Sequence, residues 1–362
     1  MESTNHVEMS NKYGSNPDYV LAGGGNTSVK DDENLYVKCS GTQLATITAD
    51  GFVKMSRKML NEIVIKEYPS DDAEREAAYL SDVFKAVTDE DTEKRPSVEA
   101  LLHNLFAYKY VLHIHPTLIN GMTCGVDGER ACADLLGDDV LWVPICKPGY
   151  TLANICYKLM NEYKANKGKD LQVMLLQNHG IFVSADTVDE ISVLFDDVMD
   201  KLTNVIKRTA DLSNDITDEQ TQASQKLTEA LGHHTEPVPV KEAMTFVKDI
   251  ESAAPLMKPF TPDHIVYCGP YPLFIENIDD AAKTLNEFMQ DKEALPRLIL
   301  VKGVGAFIME DDSAKAAKAQ LLAKDAIKLA VYAESFGGAL PMTDELIYFI
   351  THWEAEAYRS KK

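Results

Sequence analysis

Residues 173–183 read VMLLQNHGIFV. Val173 to Gln177 is a short run of apolar residues, the length of a buried strand. It ends at Asn178-His179-Gly180, residue types that suit a tight turn. Ile181 to Val183 resumes the strand pattern, and Val188 to Ile206 has the spacing of a long amphipathic helix. A strand, turn, strand and helix in that order belong in a layered domain with a sheet at its centre. His179 stands at a strand end, where a side chain can reach a cleft.

Upstream segments fit the same layers. Leu35 to Val37, Tyr110 to His115 and Val140 to Ile145 read as strands. Met55 to Lys66, Asp72 to Val87, Ser97 to Tyr108 and Thr151 to Asn161 have helical spacing. The fold class expected is α/β, in an α+β layered form. Residues 1–210 form the first domain, and the stretch from Asp211 to Lys241 is polar and reads as a connection. Residues 242–362 form a second, smaller α/β domain. Residues 137–142 and 262–267 resemble each other, as do residues 175–182 and 300–307, both pairs offset by 125 positions. That spacing points to a partial duplication. Val304 stands where the first copy has His179.

The chain has 362 residues, a prior of about two domains. Its 36 Lys and Arg against 57 Asp and Glu give a net charge of −21. So acidic a surface repels phosphodiester backbones and anionic lipid, so neither nucleic acid nor membrane is an expected partner. The first 16 residues lack a signal-peptide pattern, and no apolar run reaches spanning length. Six cysteines without a CxxC pair, mostly within apolar stretches, suit free thiols in a cytoplasmic protein.

Three features carry chemistry. His113-Ile114-His115 lies in an expected strand, so both imidazoles share a face and can bind one ion. His179 is the best third ligand, and three histidines with open positions would make a catalytic metal site of the zinc type. His103 reads as a hydrogen-bonded helix residue, and His6, His233, His234 and His352 receive no role. The second feature is Gly23-Gly24-Gly25-Asn26-Thr27-Ser28 with Ser40-Gly41-Thr42, preceded by Lys38. These turns are rich in donors for an anion, or are ordinary hairpin turns. The third is Glu99. It is either a helix-dipole carboxylate or a general base whose pKa burial beside the cleft would raise.

Taken in order, the glycine-rich Asn turn, the Ser-Gly turn, Pro96-Ser97-Val98-Glu99, the HxH and Asn178-His179-Gly180 resemble the class II aldolase/adducin family. A nearer resemblance is to the aldolase half of the bifunctional rhamnulose-1-phosphate aldolase/short-chain dehydrogenase proteins. It rests on residues 21–30, 261–264 and 337–341. The resemblance implies His113, His115 and His179 as ligands of Zn2+ or another divalent metal, and Glu99 as the catalytic acid/base. It implies Asn26, Ser40, Gly41, Thr42 and Ser97 as phosphate-binding residues. Val98 departs from the family, where simple fuculose-type aldolases carry a second serine, and Lys38 could compensate.

The implied reaction is cleavage of a ketose 1-phosphate to dihydroxyacetone phosphate and a small aldehyde such as lactaldehyde. Epimerase or dehydratase chemistry on the same scaffold is the alternative, as is a silent adducin-like binding protein. The resemblance also implies a homo-oligomer in which a neighbouring subunit lends residues. No GxGxxG turn is present, so dinucleotide chemistry is not expected, and the C-terminal domain is expected to copy the architecture without the metal ligands.

Overall fold

The computed structural model describes residues 2–89, 93–213 and 215–353. The chain divides into two compact units. Of the described residues, the first comprises those within 2–119 and 128–205 together with 353, and the second those within 120–127 and 206–352. Both are mixed α/β, as the sequence implies. No helix among the described residues is long and apolar enough to cross a membrane.

The first unit is built on seven strands: β1 Asn26–Lys30, β2 Asn34–Lys38, β3 Phe52–Ser56, β4 Tyr110–Ile114, β5 Val140–Val143, β6 Val173–Leu176 and β7 Gly180–Ala185. Their order is β3-β2-β1-β4-β7-β6-β5. Every neighbouring pair is antiparallel except β5 and β6. The antiparallel order brings the start of β1, the end of β2, the end of β4 and the start of β7 to one end of the sheet. Asn26 is registered on His113, and Ile114 on Ile181. β4, β6 and β7 are buried throughout, which explains their continuous apolar composition. The apolar core on one side includes Val37, Met55, Leu101, Phe106, Cys156 and Phe182.

Two helices are shorter than the periodicity implies. Met55 pairs with Leu35 in β3, and the helix there is Arg57–Val64 with Ser56 as its N-cap. Residues 97–99 are a loop, and that helix is Ala100–Leu105. The Ser97 N–H donates to Lys38 O, which holds the loop along β2 instead of letting it wind. The polar N-terminus carries a helix over Glu2–Gly14, which sequence analysis missed. His6, Met9, Ser10 and Tyr13 are its buried positions, at i, i+3, i+4 and i+7.

The second unit holds β8 Thr235–Pro237, β9 Leu273–Ile275, β10 Leu298–Val301 and β11 Gly305–Met309, ordered β8-β11-β10-β9. Residues 211–241, read as a polar connection, supply this unit with the helix Asp218–Leu231 and edge strand β8. The helix buries Ala223, Leu227 and Leu231, a stripe too narrow to stand out in a polar stretch.

The internal repeat is half right. Leu175↔Ile181 and Leu176↔Gly180 in the β6–β7 hairpin become Leu300↔Ala306 and Val301↔Gly305 in β10–β11, each 125 positions on. Asn178 and Gly303 both take a left-handed turn, at φ 56° and 70°. The helices that follow start at Val188 and Ser313, again 125 apart. In both sheets the hairpin is flanked by an antiparallel strand on one side and a parallel one on the other. The match of residues 137–142 with 262–267 is wrong. The first is a turn into strand β5, and the second is the helix Pro262–Cys268, started by Pro262. The true counterpart of β5 is β9.

Candidate metal centre

β4 places His113 and His115 two residues apart, and the β6–β7 turn brings His179 beside them. Their ligand nitrogens all lie within 4.8 Å of one another. The His113 ring is fully buried and stacks on Phe182, with centroids 4.0 Å apart and planes 16° apart. His113 Nδ1 lies 3.0 Å from Ile181 O. A carbonyl only accepts, so Nδ1 carries the proton and Nε2 presents its lone pair to the cluster. His115 Nε2 is 3.0 Å from that atom.

Two glycines make room for this geometry. A Cβ on Gly180 would stand 2.5 Å from Ile114 O and 2.8 Å from His115 Cδ2. Gly25 has φ +64°, and a Cβ there would meet His113 O at 2.9 Å.

Glu99 closes the cluster from the loop before Ala100–Leu105. Its buried Oε1 is 3.2 Å from His113 Nε2 and 3.3 Å from His179 Nε2, and accepts no hydrogen bond among the described residues. Oε2 accepts from Asn26 Nδ2 at 2.6 Å. Ligands about 2.0–2.1 Å from a tetrahedral ion stand about 3.3 Å from each other. Three imidazoles grouped in this way fit a divalent cation of the zinc type, with Glu99 Oε1 at the edge of the cluster. Burial pushes the Glu99 carboxyl up; His113 and His179 in their protonated form, with the Asn26 amide, outweigh it and pull it well below the ordinary range. Burial therefore acts in the direction expected from sequence, and the polar neighbours oppose it.

The donor-rich turns gather at the same end of the sheet. Lys38 is buried and its Nζ donates to Gly23 O at 3.3 Å, tying the end of β2 to the glycine-rich turn. The bridge Cys39↔Pro96 sets Ser40-Gly41-Thr42 beside Ser97. Gly41 has φ +86°, which suits a tight turn. Thr42 Oγ1 donates to Cys39 O, and Ser97 Oγ accepts from the Glu99 N–H. Asn26 lies in β1 rather than in the turn, and both ends of its carboxamide are engaged within the chain.

Sequence analysis read Ser28 only as a donor in the glycine-rich turn, gave Lys30 no role, and gave His103 only a structural one. Asn26, Ser28 and Lys30 share one face of β1, toward the helix Ala100–Leu105. Thr27 faces the other way, where His6 Nε2 and Ser10 Oγ meet its hydroxyl. His103 bonds Ser28 and Asn26, and Lys30 Nζ donates to His103 O and Phe106 O at the end of the helix. Strand alternation with the i,i+4 step from Glu99 to His103 was the available signal.

The second unit keeps the scaffold of this site and not its ligands. By strand register Pro237 stands where the first unit has His113, since each pairs with the Phe of its hairpin strand, Phe307 or Phe182. Val304 replaces His179, and the amide of Gln220 reaches that turn, donating to Val304 O. All six cysteines are free thiols.

Residues 7–199 match the family described as the class II aldolase and adducin N-terminal domain. A Bacillus subtilis (strain 168) protein named uncharacterized oxidoreductase YuxG is 24% identical over 412 aligned positions. These cover 98% of this chain and 57% of that protein, so the chain spans little more than half the length of this relative. The N-terminal class II aldolase domain of a conserved Thermoplasma acidophilum protein is 30% identical, with a TM-score of 0.49. That match covers 57% of this chain and 94% of that one. The L-fuculose-1-phosphate aldolase of Thermus thermophilus is 14% identical with a TM-score of 0.36, covering 56% and 92% of the two chains. With the family match spanning more than half of its length, and the histidine cluster inside it, this chain belongs to the class II aldolase and adducin family.

Proposed function

We propose that the first unit is a zinc-dependent carbon–carbon lyase. It would cleave a ketose 1-phosphate of the rhamnulose type to dihydroxyacetone phosphate and a small aldehyde such as lactaldehyde. The observation that carries this reading is the convergence of three imidazoles with the orphaned Glu99 Oε1, at the sheet end where the glycine-rich turns gather.

His113, His115 and His179 would hold the ion, which when bound supplies Lewis-acid stabilisation of negative charge developing on the substrate's oxygens. Glu99 handles the proton. In cleavage the ionised carboxylate would take up, directly or through solvent, the proton that the C4 hydroxyl loses as the C3–C4 bond breaks, and would deliver it to the enediolate carbon; condensation runs these steps in reverse. Asn26 Nδ2 anchors Oε2 so that the carboxylate keeps its aim. The turns at Gly23–Gly25 and Ser40–Thr42, with Ser97 and Lys38, would hold the phosphate. Lys38 adds local positive charge against the acidic surface. We assign catalysis to residues 1–210 and read 211–362 as a silent half-copy. A cytoplasmic homo-oligomer is the assembly we expect.

The test is a panel of ketose 1-phosphates and pentulose 5-phosphates, with and without chelator, read by a coupled triose-phosphate assay. The reading expects triose phosphate released in a chelator-sensitive way. Release of an isomeric sugar phosphate without triose would replace it with an epimerase, and full activity in chelator would end the metal assignment.

A further inference from the structure

Asn26, Ser28 and His103 form a chain of hydrogen bonds behind Glu99, all four groups buried or nearly so. We propose that His103 is a positioning residue that locks the Asn26 carboxamide with its NH2 toward Glu99. The inference rests on the reading of Glu99 as the proton-handling group.

The directions follow from what each atom can do. The Glu99 carboxylate offers only acceptors, so the Asn26 atom 2.6 Å from Oε2 must be the donor Nδ2. Asn26 Oδ1 then faces His103 Nε2, which must carry a proton to donate to it. His103 Nδ1 sits 2.7 Å from Ser28 Oγ and in the neutral ring accepts the hydroxyl proton. The opposite tautomer would turn the Asn26 NH2 toward His103. It would then press an amide oxygen against a carboxylate oxygen in a buried site, which is strongly unfavourable. The Nε2–H ring and the carboxylate therefore hold the same Asn26 orientation from its two ends.

The fold supplies the spacing. Asn26 and Ser28 are two apart on one face of β1, and the two ring nitrogens of His103 reach one each. His103 follows Glu99 by one helical turn, and Lys30 bonds its carbonyl at 2.7 Å. The group being aimed, at the N-cap, and the group that sets the aim, one turn on, are therefore fixed by one helix start. With Oε2 anchored, Oε1 stays within 3.3 Å of His113 and His179. Asn26 thus serves Glu99, whereas family resemblance gave it to the phosphate.

Gln and Asn at position 103 separate the two ring nitrogens, because the Gln amide nitrogen falls near Nε2 and the Asn nitrogen near Nδ1. His103→Gln is expected to keep most turnover. His103→Asn is expected to lose kcat by about 10- to 100-fold with little change in KM, the loss typical of removing a group that orients a catalytic centre. Metal content should stay unchanged in both. Equal kcat in the two variants would overturn the proposal.

A second measurement needs neither activity nor a variant fold. Nitrogen-15 NMR of histidine-labelled wild-type chain should show His103 protonated at Nε2 and bare at Nδ1. The Nδ1–H tautomer would overturn the lock. If wild-type chain cleaves no sugar phosphate, the functional reading fails while the tautomer still decides the lock.

Discussion

Gly180→Ala is the sharpest probe of how the sheet builds the candidate metal centre. Gly180 opens β7 directly after His179, and its Cα faces the end of β4. An added Cβ would lie 2.5 Å from Ile114 O and 2.8 Å from His115 Cδ2. Ordinary non-bonded contacts involving carbon are about 3.5 Å, so one strand must move by roughly 1 Å. The obstacle is backbone on one side and the His115 ring on the other, so no flexible side-chain tip can yield. Overpacking of this kind costs about 1–3 kcal/mol of stability. A misplacement near 1 Å costs on the order of 100-fold in a catalytic site. Metal affinity should fall about 10- to 100-fold, as when a ligand loses its orienting contacts. Calorimetric zinc titration with denaturant unfolding on the same preparations reads both quantities. Gly168→Ala is the control. Gly168 has φ +68° as the cap of the helix Tyr150–Lys167, but nothing lies within 4 Å of its added Cβ. It should lose about 1 kcal/mol and no metal affinity. Metal affinity in Gly180→Ala within about twofold of wild type would refute the reasoning, because His115 would then not depend on the β4–β7 approach.

Glu99→Gln should retain about one metal ion per chain and lose turnover by about 100- to 10,000-fold, checked by metal analysis beside the triose-phosphate assay. Lys30→Met should cost about 1–3 kcal/mol, because it strips the buried donor from His103 O and Phe106 O; urea unfolding measures it. Burial pushes the Glu76 carboxyl up to about 7, against the opposing pull of the Tyr150 N–H and Arg75. A carboxyl raised in the folded state stabilises fully only below its unfolded pKa, so this contribution is lost as pH rises through about 7. Glu76→Gln should remove a pH dependence of up to about 3 kcal/mol between pH 5 and 9, seen as a flattened Tm profile.

Much of the site was legible because its signals are local. An HxH on a strand and a His between Asn and Gly each declare a direction through backbone geometry alone. Glu99 was legible only through its motif, and its loop was mistaken for helix because the bond from Ser97 to Lys38 is not local. The bonds made by Ser28 and Lys30 were missed for a related reason. Their alternation was on display, but what faced them depended on a helix some 75 residues further along the chain. The N-terminal helix hid its apolar stripe behind polar neighbours, with His6 and Ser10 acting as core residues through their bonds to Thr27.

Periodicity, turn chemistry and residue type act over a few neighbours, so the α/β class, the hairpin repeat at 125 positions and the three histidines can be read from the chain alone. Three things depended on the folded chain. It put the ends of β1, β2, β4 and β7 side by side. It turned Glu99 Oε1 onto the imidazoles, and it made the second unit a half-sheet with Pro237 and Val304 in place of ligands. The physical reason is that strand order and register are set by which apolar faces can be buried together. That choice is made among residues far apart in the chain, and it alone fixes which polar groups are left to meet at the sheet's end.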